Sequence, residues 1–201
     1  ERLKETQSQP TIISVSGISP EQIIANLIVL EPHVDASEVN ISSPNTAGLT
    51  TFHKPATLKD LLDRLNAVRT KPLFVKIPPY SNERTKVEVL NLVSIIRDVE
   101  ASGVTVTNTL PTVAPELAVG RGGLSGKPVF NTMLQMVKDI RREAGERLVI
   151  NACGGVFTAK DAISALEAGA DSVQIYTGLI YEGPGIARRI NQGLADHLSN
   201  K

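Results

Sequence analysis

The chain has 201 residues, enough for one domain with a buried core. Lys plus Arg and Asp plus Glu both number 21, so the formal net charge is zero, and aromatic residues make up only 3% of the chain. This composition argues against a nucleic-acid partner, which would need clustered basic charge and aromatic stacking surfaces. Cys153 is the single cysteine, which excludes an internal disulfide and is typical of a reducing compartment. No apolar run approaches the ~20 residues of a membrane-spanning helix and no signal peptide opens the chain, so we expect a soluble chain without a transmembrane segment.

The dominant pattern is a short apolar run, a polar turn and then an amphipathic helix, repeated along the chain. The apolar runs are continuous and rich in β-branched residues, as strands buried on both faces of a parallel sheet are. Six strands are predicted, at residues 11–15, 38–41, 73–77, 104–107, 148–150 and 172–175.

Sequence signals also predict where the intervening helices begin. Ser19 stands three residues before Gln22 and is followed by proline, which is typical of an N-cap with proline at the first helical position. Thr57 is predicted to cap a second helix, and Thr158 with Asp161 to open a later one. The last helix is predicted to carry one apolar stripe and a solvated basic pair: Ile186, Ile190, Leu194 and Leu198 on the stripe, Arg188 and Arg189 off it.

Six strand–helix units in succession predict a parallel β/α architecture. From this pattern alone, a doubly wound open sheet and a (β/α)8 barrel both remain open. No linker or repeat of fixed length interrupts the pattern, so we expect a single domain over residues 1–201. The Pro- and Gly-rich residues 111–128 are predicted to form one long loop after a strand, and such loops are usually functional.

Polar residues at the carboxyl ends of the predicted strands are the candidate site, because parallel β/α proteins place their chemistry there. Lys76 ends an apolar run, so its ammonium is expected to need an anion, an electron-rich ligand or a neighbouring carboxylate. The last two strand ends suit a phosphate, which backbone N–H groups bind well, although glycines there also serve simply to turn the chain. The candidate segments are residues 40–46, Lys76, residues 107–109, Gly154 with Gly155, and residues 176–178.

Several other motifs fail on inspection. Gly126-Lys127 resembles the end of a phosphate-binding P-loop, but Arg121 stands where the motif needs Gly and Pro128 where it needs Ser or Thr. The three histidines show no metal-ligand spacing, so no metal site is expected. Cys153 is interpreted as a small buried residue rather than a nucleophile.

The strand-end segments, together with residues 122–128, resemble the dihydroorotate dehydrogenase family in order and spacing over nearly the whole chain. Ser43, where other classes of that family carry cysteine, is similar to class 2, the quinone-linked form. The resemblance implies an FMN-containing (β/α)8 TIM-type barrel that oxidises dihydroorotate to orotate in pyrimidine synthesis, with a quinone as electron acceptor and peripheral membrane association.

The resemblance also implies a role for each matching position. Ser43 would be the catalytic base that removes the C5 proton. Lys76 would lie near the pyrimidine end of the flavin and stabilise charge on the reduced ring. The substrate would be held by Asn40, Asn45, Asn108 and Thr109. FMN would be bound by Asn40, Lys76, Thr107, Gly126, Gly155, Tyr176 and Thr177.

The chain departs from the family at a few positions and at its start. Ser16, Pro78-Pro79 and Asn151-Ala152 replace the residues usual in the family. A complete barrel needs eight strands, and we expect six here, about three quarters of a barrel, with the family's first two units absent from this sequence. Two other functions stay open: a phosphate-binding barrel isomerase or synthase, and a non-catalytic fragment of the dehydrogenase.

Overall fold

The structure, a computed structural model, describes residues 9–42 and 48–200. Its main sheet contains six parallel strands, which confirms the six predicted from the apolar runs. The order of these strands across the sheet follows their order along the chain. These strands are β1 (Ile12–Val15), β2 (Ala36–Asn40), β3 (Leu73–Lys76), β4 (Gly103–Val106), β7 (Val149–Cys153) and β8 (Ser172–Gln174).

Helices alternate with the strands, and the sheet curls into part of a (β/α)8 barrel, which excludes the doubly wound open sheet. Short 3-10 helices lie at Glu31–His33, Leu49–His53, Lys127–Val129 and Gly145–Arg147. The α-helices are α1 (Pro20–Leu30), α2 (Pro55–Asn66), α3 (Glu83–Asp98), α4 (Phe130–Ala144), α5 (Ala159–Glu167), α6 (Thr177–Glu182) and α7 (Ile186–Ser199). Within the described ranges, no helix is long and apolar enough to cross a membrane.

Two of the three predicted helix starts are confirmed and one is wrong. The Ser19 side chain accepts a hydrogen bond from the Gln22 backbone N–H, and Thr158 with Asp161 forms a capping box. Helix α2 instead begins at Pro55, two residues before Thr57, with Lys54 at the N-cap. The fixed backbone angle of a proline suits the first helical position, so the helix starts there without a side-chain cap.

The predicted long loop over residues 111–128 is wrong, because most of it is a hairpin. Strands β5 (Leu110–Val113) and β6 (Arg121–Leu124) pair antiparallel, with Pro111 opposite Gly123. A two-stranded ribbon leaves half of its backbone groups facing outward, so a proline that lacks an N–H is tolerated there. The prolines and glycines of this stretch therefore belong to an exposed two-stranded ribbon and not to an irregular loop.

The core lies between the sheet and the helices. The helices bury stripes at helical spacing, such as Leu58, Leu61, Leu62 and Leu65 of α2, each 0% exposed. The stripe predicted for α7 holds at Ile186 and Ile190, weakens at half-buried Leu194 and fails at Leu198, which is 68% exposed at the end of the helix. Arg188 and Arg189 are exposed, as predicted.

A buried carboxylate joins α3, α4 and the segment after β3. The Asp139 side chain is 2% exposed and lies 2.8 Å from Lys86 Nζ, and it accepts hydrogen bonds from the Tyr80 hydroxyl and from Gln135 Nε2. Burial by itself would raise the pKa of Asp139, but the hydrogen bonds from Lys86, Tyr80 and Gln135 outweigh it and lower that pKa. The charged form is therefore the stable one in the folded protein.

Asp139→Asn is expected to lower the free energy of unfolding at neutral pH by about 3 kcal/mol, because it leaves Lys86 without its counter-charge. The wild-type contribution is complete above the unfolded carboxyl pKa of ~3.9 and is lost as the pH falls through the lower folded pKa. The difference in the free energy of unfolding between wild type and variant should therefore become smaller below about pH 4. Urea unfolding over a pH series measures both effects.

The matched control is Asp63→Asn, which removes an exposed partner of Lys59 on α2. This variant should cost no more than about 0.5 kcal/mol. Equal losses for the two variants would contradict a special role for the Asp139 cluster.

Candidate active site

Polar residues from the strand ends meet in one cavity of about 230 Å³ at the carboxyl edge of the sheet. The strands run parallel, so their carboxyl ends share this edge, as the sequence predicts. The rest of the lining is mainly small or apolar, including Val129, Cys153 and Ile175. Eight predicted site residues line the cavity: Lys76, Thr107, Asn108, Thr109, Gly126, Gly155, Tyr176 and Thr177.

Asn40 lies beside this cavity rather than on its lining. It ends β2, where it is the register partner of Lys76 on β3. Its Oδ1 accepts hydrogen bonds from the Ser42 backbone N–H at 3.0 Å and from Ser42 Oγ at 2.9 Å. Asn108 Nδ2 donates to the same Ser42 Oγ at 2.9 Å. Asn40 and Asn108 are therefore joined through Ser42.

Ser43 and Asn45, the predicted base and one predicted substrate contact, lie outside the described residues. The residue before them, Ser42, is described and is 5% exposed. The sequence reasoning assigned no role to Ser42, although it stands inside the segment that carries the family resemblance.

Lys76 reaches the cavity without a carboxylate partner. Its side chain is half-buried, and Nζ lies 3.8 Å from Cys153 Sγ. Among the residues that the structure describes, no carboxylate forms an ion pair with it. The alternative of a lysine paired with a neighbouring carboxylate therefore finds no support in that part of the chain, and an ammonium facing a cavity favours an anionic or electron-rich ligand.

Cys153 faces the same cavity. Burial raises the pKa of its thiol, and Glu38 adds to this effect, while the Lys76 ammonium acts in the opposite direction. The protonated thiol is favoured at neutral pH, which argues against a nucleophile, but Cys153 is half-buried on the cavity lining and not fully buried as predicted.

Glu38 is a charged residue of the barrel interior that the sequence reasoning missed. It is 5% exposed on β2, and its carboxylate accepts hydrogen bonds from Thr105 Oγ1 at 2.6 Å, Ser14 Oγ at 3.2 Å and Gln174 Nε2 at 3.4 Å. A second cavity is lined by Glu38, Ser14 and Gln174 together with Lys76 and Cys153. The signal was present in the sequence, since a glutamate inside a strand predicted to be buried needs partners.

The glycine turns bring backbone close to the cavity. Gly154 and Gly155 have φ of 146° and 73°, in the region that favours glycine. A Cβ on Gly155 would lie 2.9 Å from the Phe130 backbone nitrogen, so no larger residue fits without a shift. Gly126 also has a positive φ, of 77°, and the adjacent Ser125 accepts a hydrogen bond from Thr177 Oγ1 at 3.1 Å. The loop before α4 and the start of α6 thus form one wall of the cavity.

Thr107 presents an unpaired buried hydroxyl at the cavity. The residue is 1% exposed, and its Oγ1 has no hydrogen-bond partner within residues 9–42 and 48–200. An unpaired buried hydroxyl costs free energy, so this atom is suited to a ligand that supplies the missing partner. Within the same ranges, no group of three or more His, Cys, Asp or Glu residues is placed to hold a metal ion.

A curled parallel sheet with polar side chains and glycine turns gathered at its carboxyl edge defines part of a β/α barrel with its candidate site at the usual edge. The family model of dihydroorotate dehydrogenase matches residues 1–198. The chain belongs to the dihydroorotate dehydrogenase family.

Individual relatives agree with this membership. A protein of Chloroflexus aurantiacus named dihydroorotate dehydrogenase (quinone) is 38% identical over an alignment 221 positions long. The alignment covers 98% of this chain and 60% of the relative. A protein of Sphingopyxis alaskensis with the same name is 38% identical over 172 residues, covering 82% of this chain and 48% of the relative. The crystal structure of DHODH from Eimeria tenella in complex with ferulenol superposes with a TM-score of 0.78 at 27% identity, covering 90% of this chain and 54% of that one. The chain therefore spans roughly half of the length of the relatives it matches.

Proposed function

We propose that this chain forms the FMN-binding part of an enzyme that oxidises dihydroorotate to orotate and passes the electrons to a quinone. The observation that carries the proposal is the convergence of eight residues, chosen from the sequence, on one cavity. The family membership gives that cavity its chemistry, and the quinone in the names of the relatives supports the electron acceptor. We further propose that residues 1–201 act as one domain and that the complete protein associates peripherally with a membrane, as the resemblance implies.

The residues present fit an FMN. Thr107 Oγ1 is a buried hydroxyl that needs a partner, and Lys76 is a cation facing the cavity. We assign the FMN phosphate to the backbone N–H groups near Gly155, Tyr176 and Thr177, because such groups bind anions and the glycine lets backbone approach closely. Lys76 would then lie at the isoalloxazine ring, where its charge stabilises the reduced form.

The substrate side is assigned to the asparagines and their neighbours. Asn40, Asn45, Asn108 and Thr109 would hold the carboxylate and the ring amides of dihydroorotate. Asn108 and Thr109 line the cavity, and Asn40 is tied to Asn108 through Ser42. These contacts would fix the ring beside Ser43, which would remove the C5 proton. Bound FMN would supply the hydride acceptor for C6 of the substrate.

Proton removal by Ser43 requires help from its surroundings, because a serine hydroxyl is a poor base at neutral pH. Orientation supplies part of that help, since a ring held in reactive geometry lowers the barrier without any change in the base. The hydrogen bonds that join Asn40, Ser42 and Asn108 are already formed in the described part of the chain, and Ser42 directly precedes Ser43 in the sequence.

Purification of the complete protein followed by analysis of its bound chromophore tests this proposal. We expect a yellow protein from which denaturation releases FMN, and orotate formation when dihydroorotate and a quinone are added. A colourless protein that binds sugar phosphates would favour the phosphate-binding isomerase or synthase. A yellow protein without turnover would favour a fragment that binds the cofactor without chemistry.

A further inference from the structure

We infer that Ser42 is a positioning residue whose hydroxyl joins the Asn40 and Asn108 amides and holds them in the orientation that their backbone hydrogen bonds set. This inference rests on the proposed function and extends it to the specificity of the substrate side. Ser42 is 5% exposed and contacts both asparagines through a single hydroxyl group.

The orientation of the Asn40 amide is fixed by a backbone group. The Ser42 backbone N–H lies 3.0 Å from Asn40 Oδ1. A backbone N–H can only donate, so the atom facing it must be the amide oxygen. The Asn40 Nδ2 group therefore points away from Ser42.

A second backbone group fixes the Asn108 amide in the same way. The Thr109 backbone N–H donates to Asn108 Oδ1 at 2.8 Å, so that atom is the oxygen. The amide nitrogen then faces Ser42 Oγ at 2.9 Å. Both assignments follow from backbone donors.

The direction of the hydroxyl follows from these two amides. Ser42 Oγ accepts from Asn108 Nδ2, so its one hydrogen is free to point at Asn40 Oδ1, which lies 2.9 Å away. Hydrogen bonds thus run in one direction, from Asn108 through Ser42 to Asn40. Chains of this kind strengthen each member, and reversing one member breaks the others.

The consequence is a surface of N–H donors, at Asn108 on the cavity lining and at Asn40 beside it. Within the described residues, the Asn40 Nδ2 group donates no hydrogen bond. Asn108 Nδ2 has one hydrogen left after its bond to Ser42 Oγ. The surface therefore selects a ligand that offers acceptor atoms, such as carboxylate or carbonyl oxygens, over one that offers N–H groups at these points.

His53 holds the backbone immediately before Ser42. Its Nε2 lies 2.9 Å from the Ile41 carbonyl oxygen. A carbonyl oxygen only accepts, so Nε2 carries the hydrogen. This contact fixes the end of the strand from which Ser42 extends.

The test compares Ser42→Ala with Ser37→Ala in the purified holoenzyme. Ser37 is a similarly buried serine, 1% exposed, on β2, the strand that leads to Ser42, and its hydroxyl has no partner in the part of the chain that the structure describes. We expect orotate binding to weaken about tenfold in Ser42→Ala, with kcat less affected than KM and FMN content unchanged. Ser37→Ala should bind orotate as wild type does. Ser42→Thr keeps the hydroxyl and should restore most of the affinity.

Ser42→Cys serves if the alanine variant fails to fold, since a thiol is a weak donor and acceptor of similar shape. Orotate binding weaker in Ser42→Cys than in Ser42→Thr supports the inference, and equal binding contradicts it. Orotate affinity in Ser42→Ala within twofold of wild type, or a loss shared by Ser37→Ala, would also overturn it. Wild-type holoenzyme that binds no orotate would contradict the proposed function itself, whereas normal wild-type binding with an unaffected Ser42→Ala contradicts only the role of Ser42.

Discussion

Ser43→Ala slows the reduction of bound FMN by dihydroorotate by about 10²-fold or more, the usual scale for loss of a general base. The reason is that no other group assigned to the substrate side accepts a proton readily. The flavin itself should still bind, because Ser43 is not among the residues assigned to FMN, and all of these except Asn40 lie on other segments of the chain. Stopped-flow measurement of flavin reduction under anaerobic conditions gives the rate directly.

The argument for Ser43 combines the family resemblance with the described residues around it. Ser43 itself lies outside the described residues, but it follows Ser42, which is tied to Asn40 and Asn108. A serine base needs preorganised partners and an onward acceptor for its proton. We propose a chain of water molecules as that acceptor.

Ser43→Cys is the informative companion variant. A thiol can also carry the proton, so this variant should retain part of the activity that Ser43→Ala loses. Flavin reduction in Ser43→Ala at wild-type speed would leave Ser43 as a loop residue and reopen the search for the base.

Lys76→Met is expected to weaken FMN binding or slow flavin reduction by about 10- to 100-fold, the loss that follows removal of a hydrogen bond to a charged group. Methionine keeps an unbranched side chain of comparable length, so packing around β3 should change little. The charge is what the change removes. Lys76 is described without a carboxylate partner and lies 3.8 Å from the neutral thiol of Cys153, so its charge is available to a ligand.

The matched control for this variant is Lys59→Met. Lys59 is an exposed lysine whose partner Asp63 lies on the same helix, and it does not line the cavity. It should leave FMN affinity and flavin reduction unchanged, with a stability cost no larger than that of a surface ion pair. If Lys76→Met also leaves both quantities unchanged, the lysine is structural and its assignment to the flavin is wrong.

The strands and half of the cavity lining were predictable because each depends on a local pattern. Buried parallel strands need continuous apolar runs, and their carboxyl ends meet at one edge whatever the sequence of the helices between them. Lys76 was therefore identified by the run that it ends, and Gly155 by the glycine pair that turns the chain after β7. The eight predicted residues that line the cavity were identified from this rule together with the family resemblance.

Other features depend on partners that are remote in sequence and were missed. The hairpin of β5 and β6 was taken for a loop because Pro111 and the glycines opposite it are turn signals until their pairing is known. Glu38 receives its hydrogen bonds from β1, β4 and β8, which lie up to 136 residues away along the chain. Ser42 takes its role from two backbone N–H groups and from Asn108, 66 residues away, and no composition or spacing carries that information.

Anaerobic titration of the purified holoenzyme with dihydroorotate tests the proposed chemistry most directly. The visible absorption of oxidised flavin is followed while orotate is quantified in the same samples. We predict that the flavin is bleached in proportion to the dihydroorotate added, with one orotate formed for each FMN reduced. Bound FMN that stays oxidised in excess dihydroorotate, or a purified protein that contains no FMN at all, would contradict the assignment of this cavity to flavin-dependent oxidation of dihydroorotate.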